Sequence, residues 1–381
     1  MSKKEFGLFL LKTIIVLLPL TPIVSNLVSA YIHYSLSGDW EAIWLTWSDD
    51  PTSSIVINWR WTHSGEAYVI YWNTTHRRII NISAEELNHV YIGGLSPNTT
   101  YNYVVGYYEH GKMVNWSAVH SFQTLPTTGT VKVMVLSDTH APGYGALDRV
   151  LDAINNVSGI NFMVHCGDIV DRSFPQFWAD FFTKFHKILS EVPIMPSIGN
   201  HEIHYGDPLL FSKFFELPNN ELWYYYRAGD AVFISLYVAD SRNFIFPEEE
   251  YEMLIDAINM AKAQGLWTIV YFHIPPIEVM PVISYPEIAR KLTEIMEVAK
   301  PDLIITGHYH VYIRTEFVGS KLILMGASGG FPNQVVYKEK YEACSFKLGY
   351  GILEISKDTL HFKYISIDGK IVDEFEIKRS S

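Results

Sequence analysis

Cysteine is nearly absent: Cys166 and Cys344 are the only two in 381 residues, which excludes a disulfide-stapled scaffold. Cys166 sits in an apolar run and is expected to be a small core residue. Runs of lysine or arginine are also missing. With a formal charge of −12 and a pI near 5.7, the chain is not built for general affinity to a nucleic-acid backbone, which needs clustered cations. No internal repeat or low-complexity tract occurs, and no helical period shows between Trp40 and Leu125. A length of 381 residues is enough for two domains with a sizeable core.

One long uncharged run is present, from Thr13 to Ala30, after Lys3, Lys4 and Lys12. Lysine flanks and the internal Pro19 and Pro22 argue against a buried helix. Residues 1–30 are expected to be a secretory signal, with Val28-Ser29-Ala30 supplying small residues for cleavage before Tyr31. An uncleaved anchor is the alternative, because the run is near the lower length of a membrane span. In both cases the three lysines stay inside and the body is exported, to the outside or to the cell surface. Five N-x-[ST] triplets, at Asn73, Asn81, Asn98, Asn115 and Asn156, agree with export and glycosylation.

Residues 38–126 read as a β-sandwich. Alternating runs such as Ile55-Val56-Ile57-Asn58-Trp59-Arg60-Trp61 and Tyr101-Asn102-Tyr103-Val104-Val105 are separated by Gly, Asn and Pro, which is strand-and-turn chemistry. Seven of the ten tryptophans precede residue 117. A sugar-binding face is one use of them; filling a small β core and packing on the next domain is the favoured one.

From residue 130 to 377 the texture changes. Strand-like apolar runs, Val131 to Leu136, Phe162 to Val164, Ile194 to Ile198, Thr268 to Tyr271 and Leu303 to Ile305, alternate with segments of helical spacing, Ala146 to Val157, Gln176 to Leu189, Glu248 to Ala263 and Glu287 to Ala299. That alternation predicts a layered α/β domain, so the fold class is a two-domain α+β/αβ chain. Each strand-like run is followed by polar residues: Ser137-Asp138-Thr139-His140, Gly167-Asp168, Gly199-Asn200-His201-Glu202, His273, and Gly307-His308-Tyr309-His310. Ligands of open α/β sheets gather at such strand ends. In extended backbone, residues two apart share a side, so Asp138 with His140, and His308 with His310, can each offer two donors to one centre. Carboxylate, imidazole and amide donors together suit Mn, Fe or Zn better than Ca or Mg. Two such ions about 4 Å apart can clamp both oxygens of an in-line displacement. Asp168, the midmost carboxylate, is the candidate bridge.

The series D-x-H, G-D-x-x-[DR], G-N-H-[DE], a later His and G-H-x-H resembles the calcineurin-like metallophosphoesterase superfamily over about residues 131 to 330. The words around Asn200 and His308 are most similar to its purple acid phosphatase branch. Leu95-Ser96-Pro97-Asn98-Thr99-Thr100-Tyr101 resembles a fibronectin type III turn, and Phe122 to Pro126 resembles the exit from the domain that precedes the catalytic part in plant-type members. The resemblance implies that Asp138, His140, Asp168 and His310 hold a first divalent or trivalent metal ion. It implies that Asp168, Asn200, His273 and His308 hold a second. His201 would be catalytic, assisting the leaving group, with a hydroxide bridging the metals as nucleophile.

Two departures stand out: Asp171 occupies the position of the tyrosine that colours the purple enzymes, and His140 stands where they usually have Gly. A colourless enzyme is therefore expected. The implied activity is phosphomonoester hydrolysis on a small phosphate ester. The alternatives are a phosphodiesterase on nucleotides or lipid head groups at the same site and, from another class, a non-catalytic cell-surface binding module. A membrane tether rests on the leader, and a homodimer through the catalytic domain rests on analogy alone. Lys338, Lys340 and Tyr341 follow as a polar loop, and Tyr350 to Ile377 as β-hairpins at a sheet edge.

Overall fold

The computed structural model describes residues 40–62, 65–242, 244–280, 285–331 and 340–379. The expected leader and Lys338 lie outside the described residues.

Eight strands build the N-terminal part: β1 (Ala42–Thr46), β2 (Ile55–Arg60), β3 (Gly65–Trp72), β4 (Arg77–Ala84), β5 (Leu87–Ile92), β6 (Thr100–Glu109), β7 (Lys112–Asn115) and β8 (His120–Gln123). They form an antiparallel sheet β1-β2-β5 and a second, β4-β3-β6-β7, with β8 on β6. Trp44, Trp47, Trp59 and Trp61 are at most 1% exposed, so they are core rather than a sugar platform. Trp59 and Trp61 pack edge to face inside the sandwich, with Trp116 against Trp61. Trp44 faces the next domain: its ring lies 4.0 Å from that of Phe182, and its Nε1 donates to the Phe214 carbonyl.

The second part runs β9 (Val131–Leu136), α1 (Ala146–Ile154), β10 (Phe162–Cys166), α2 (Pro175–Leu189), β11 (Ile194–Ser197), α3 (Asn200–His204), α4 (Leu209–Phe214), β12 (Tyr224–Ala228), β13 (Ala231–Ser235) and α5 (Glu248–Ala263). It continues with β14 (Trp267–Tyr271), α6 (Pro286–Ala299), β15 (Leu303–Thr306), β16 (Tyr312–Phe317), β17 (Ser320–Met325), β18 (Ala343–Ser345), β19 (Gly349–Ile355), β20 (Thr359–Ser366) and β21 (Ile371–Lys378). Helix α1 stops at Ile154, short of the expected Val157, because Asn155 and Asn156 are poor helix formers ahead of Gly159.

Two mixed sheets result, ordered β11-β10-β9-β19-β20-β21 and β12-β13-β14-β15-β17-β16-β18. Strands β9, β10 and β11 are mutually parallel, as are β13, β14, β15 and β17. Buried on both faces, such strands must be apolar throughout; β13, Ala231-Val232-Phe233-Ile234-Ser235, is buried at every position. The sheets meet through Phe162 and Phe233, whose rings are 5.1 Å apart, and through the Tyr224 hydroxyl on the Pro196 carbonyl. Helices α5 and α6 cover the second sheet with Leu254, Ile258, Leu292 and Met296. The C-terminal hairpins lie at a sheet edge, as expected: β19 pairs antiparallel with β9, and β20 and β21 continue the first sheet outward. Among the described residues no helix is long and apolar enough to cross a membrane.

Glu250, in the first turn of α5, is fully buried. Its Oε1 accepts from the Tyr237 N–H at 2.6 Å, while Oε2 has no hydrogen-bond partner. Burial pushes this carboxyl up to about 8. A folded-state value above the unfolded one means that the native state holds the proton more tightly. That stability is complete below the ordinary range near 4.5 and is lost as pH rises towards 8. Glu250→Gln is therefore expected to gain about 4 kcal/mol on wild type between pH 5 and pH 8.5. Thermal unfolding of both proteins across that range checks it; parallel pH profiles would mean that Glu250 binds its proton equally well in the folded and unfolded chains.

Candidate metal centre

The polar segments singled out in the sequence meet at the carboxyl ends of β9, β10, β11, β14 and β15, where the two sheets face each other. Their donor atoms form three overlapping groups: Asp138 with His140 and His310, His140 with Asp168 and His201, and Asp168 with His273 and His308. Asp168 Oδ2 is common ground, at 3.6 Å from His140 Nε2, 3.2 Å from His273 Nε2 and 3.9 Å from His201 Nε2. On one side His140 Nε2 is 2.9 Å from His310 Nε2, which is 3.6 Å from Asp138 Oδ1. On the other, Asn200 Oδ1 is 3.0 Å from His273 Nε2 and 2.8 Å from His308 Nδ1. Donors bound at about 2.0–2.1 Å in a tetrahedral shell sit roughly 3.3 Å apart, so these separations suit neighbours around an ion.

Although their spacing would let them meet at one centre, His308 and His310 fall in different donor groups: His310 joins Asp138 and His140 while His308 joins Asp168 and His273. The alternation rule fails because the backbone there is not extended: His308 has φ +73°, and the Tyr309 and Val311 N–H groups fold back on the Gly307 and Tyr309 carbonyls. Asp138 and His140 do share a group, yet they too lie at positive φ, +54° and +44°, as does Asp168 at +52°. Four of the seven candidate ligands thus sit in left-handed backbone, which costs about 1–2 kcal/mol per residue. Such strain persists where the surrounding structure fixes a site.

Close backbone approach explains the glycines of the motifs. A Cβ on Gly199 would lie 2.1 Å from the Asp168 nitrogen, and one on Gly307 would lie 2.0 Å from Ser137 Oγ. Glu202 then ties two of the loops together. Its Oε2 accepts from the Gly199 and Asp168 N–H groups at 2.7 and 3.0 Å, and its Oε1 from Val170 N–H at 3.0 Å. In return, Asp168 Oδ1 accepts from His201 N–H at 2.9 Å, which leaves Oδ2 for the shared position. Burial, with the neighbouring Asp168 carboxylate, pushes Glu202 up to about 7. Sequence reasoning gave Glu202 no part, although an acidic residue at the third position of a helix opening is a known sign of such bonding. Ser137 was equally unassigned; its Oγ donates to Asp138 Oδ2 at 2.5 Å.

The chemistry of the pocket asks for positive charge. Burial raises Asp138 to about 6, against the pull of His273 and His310. Burial would also raise Asp168, but His273, His201 and His140 around it hold it well below the usual carboxylate range. Burial opposes a proton on His273, yet Asp168 and Asp138 raise that imidazole to about 9. His308, by contrast, is lowered to about 3, first by burial and then by His273. The residues present fit a pair of cations: buried carboxylates, imidazoles and one amide oxygen gathered around the shared Asp168.

His201 lies at the edge, a quarter exposed, with Nδ1 at 2.7 Å from the Asp171 carbonyl and Nε2 turned inward. Asp171 directs Oδ1 toward His140 Nδ1 at 3.7 Å. Tyr205 packs its ring 4.7 Å from His201, and the Arg242 guanidinium sits 5.9 Å from the Tyr205 ring. His204 Nε2 is 3.3 Å from Asp240 Oδ1. Phe331, in the turn after β17, accepts at its carbonyl from His310 Nδ1 at 2.7 Å. Tyr341 donates to the Glu278 carbonyl. No spacing in the sequence pointed to Asp240, Arg242 or Tyr285, which reach the site from segments without a motif.

Comparison with known proteins agrees with this architecture. Residues 131–312 match the family described as calcineurin-like phosphoesterase, and residues 32–124 match the purple acid phosphatase N-terminal domain. Purple acid phosphatase 15 of Arabidopsis thaliana is 25% identical over 352 residues, covering 75% of this chain and 64% of that protein. The chain thus spans less than two thirds of that relative's length. Purple acid phosphatase 18 of Arabidopsis thaliana is 22% identical over 317 residues, covering 78% of this chain and 68% of that protein. Among solved structures, purple acid phosphatase PPD1 from yellow lupin (Lupinus luteus) seeds superposes with a TM-score of 0.77 at 18% identity, over 90% of this chain and 75% of that one. PhoD superposes at 0.67 and 12% identity, over 91% and 89%. At these identities the superpositions establish the fold.

Proposed function

Because the chain carries a calcineurin-like phosphoesterase domain behind a purple acid phosphatase N-terminal domain, we propose that it is an exported, two-metal phosphoric ester hydrolase acting on phosphomonoesters. The observation that carries this is the pair of donor groups sharing Asp168 Oδ2. Asp138, His140, Asp168 and His310 would hold one ion; Asp168, Asn200, His273 and His308 would hold the other. Once bound, two such ions neutralise phosphate charge and supply hydroxide at neutral pH.

The rest falls to the chain's own groups. His201 donates Nδ1–H to the Asp171 carbonyl, so its Nε2 is the atom that faces substrate and can pass a proton to the departing oxygen. Asp138 and Asp168 stay ionised and hold the opposing imidazoles in place. Asp171, standing where the purple enzymes have tyrosine, offers no phenolate, and a colourless protein follows. Export is supported by the triplet asparagines: Asn81, Asn98, Asn115 and Asn156 are exposed and Asn73 is half-buried.

The test uses the chain stripped of metal and reloaded separately with Mn, Zn and Fe, assayed on a phosphomonoester and the matching diester. Metal-dependent turnover of the monoester is the expected result. Preference for the diester would replace phosphatase by phosphodiesterase. A protein that holds two ions and turns over neither ester would refute ester hydrolysis, and one that binds no metal would refute the two-metal centre.

A further inference from the structure

Three imidazoles of the site are held from behind, at the nitrogen that does not face the centre. His273, His310 and His201 all turn Nε2 inward and place Nδ1 on a backbone carbonyl, of Cys166 at 2.8 Å, Phe331 at 2.7 Å and Asp171 at 2.7 Å. Only a protonated nitrogen can donate to a carbonyl, so those contacts fix the tautomer with a lone pair on Nε2. His308 is reversed. Its Nδ1 joins Asn200 Oδ1 and His273 Nε2, at 2.8 and 3.3 Å, and its Nε2 points away to the Tyr285 hydroxyl at 3.1 Å. The Tyr285 ring lies 5.3 Å from the His308 ring, and the residue immediately precedes α6, outside the motifs.

We propose that Tyr285 is the positioning residue for the second metal: its hydroxyl oxygen accepts the Nε2–H of His308 and so keeps the Nδ1 lone pair directed at the ion. This inference rests on the two-metal reading above. It follows from the direction of the ring, because a metal on Nδ1 obliges Nε2 to carry the proton, and a buried N–H requires an acceptor. A carbonyl is part of the main chain and cannot be removed by substitution. The phenol is a side chain, and it contributes no negative charge, so His308 remains a neutral, comparatively weak donor.

The experiment compares zinc binding by the full-length wild type and Tyr285→Phe, which keeps the ring and removes the acceptor, by competition titration with a chromophoric chelator. Selective 15N-histidine labelling, with His308→Gln to identify the signal, follows the His308 Nε2–H in the zinc-loaded proteins. Wild type is expected to take two zinc ions. In Tyr285→Phe one affinity should fall about 10- to 100-fold while the other stays within about threefold, and the His308 Nε2–H should exchange faster with solvent. A merely structural role would weaken both sites together and lower the thermal midpoint of the metal-free protein; that outcome, or two unchanged affinities, overturns the assignment of Tyr285. Failure of the wild type to take up two ions overturns the two-metal reading itself, and Tyr285's role with it.

Discussion

Asp168→Ala is expected to abolish binding of both metals together and to lower turnover of a phosphomonoester by roughly four orders of magnitude, about 5–6 kcal/mol of barrier. The size follows from where the side chain sits. Its Oδ2 lies within 4 Å of His140 and His201, which share one donor group with it, and of His273, which belongs to another, and its Oδ1 holds the His201 backbone. Removing it takes away the carboxylate that the two proposed centres share and leaves imidazoles crowded together without the charge that opposes them. His310→Ala touches one group only and should weaken one ion while retaining the other. Elemental analysis after dialysis, alongside the rate, separates the two variants. If Asp168→Ala kept two ions, a bridging carboxylate would be excluded.

His201→Ala is expected to keep both metals and lose turnover, by about 10²- to 10⁴-fold on an ester with a poor leaving group, the range general acids contribute. Esters of acidic phenols, whose oxygens leave without help, should lose far less. The separation of binding from rate follows from the placement of His201: its Nε2 is 3.9 Å from Asp168 Oδ2, and its ring is a quarter exposed, between Tyr205 and His140. Rates on a leaving-group series for both proteins would show it as a steeper dependence on leaving-group pKa in the variant. Equal losses across the series would assign His201 to phosphate binding rather than proton transfer.

Much of this architecture could be read directly from residues. Strands buried on both faces need unbroken apolar runs, so β9, β10, β14 and β15 were visible as such, and polar residues directly after them could only lie at strand ends. Helix α5 showed its bounds because its apolar positions recur at helical spacing behind three glutamates. The tryptophans were harder, since aromatic content is the same in a core and in a binding face. Burial against Phe182 and Phe214 decided for the core.

Sequence by itself determined which chemical groups gather at the site, because carboxylate, imidazole and amide placed at five strand ends have few other uses. The tertiary structure decided how the donors group, setting His310 with Asp138 and His140, and His308 with Asp168 and His273. A positive φ at Asp138, His140, Asp168 and His308 turns each side chain away from the direction that alternation along a strand would give, and no residue pattern encodes that rotation. The acceptors behind the imidazoles were equally hidden: a backbone carbonyl has no residue identity, and Glu202 and Tyr285 act across chain separations of 34 and 23 residues. Contacts of that kind exist only once the strands have paired and the two sheets have closed on each other.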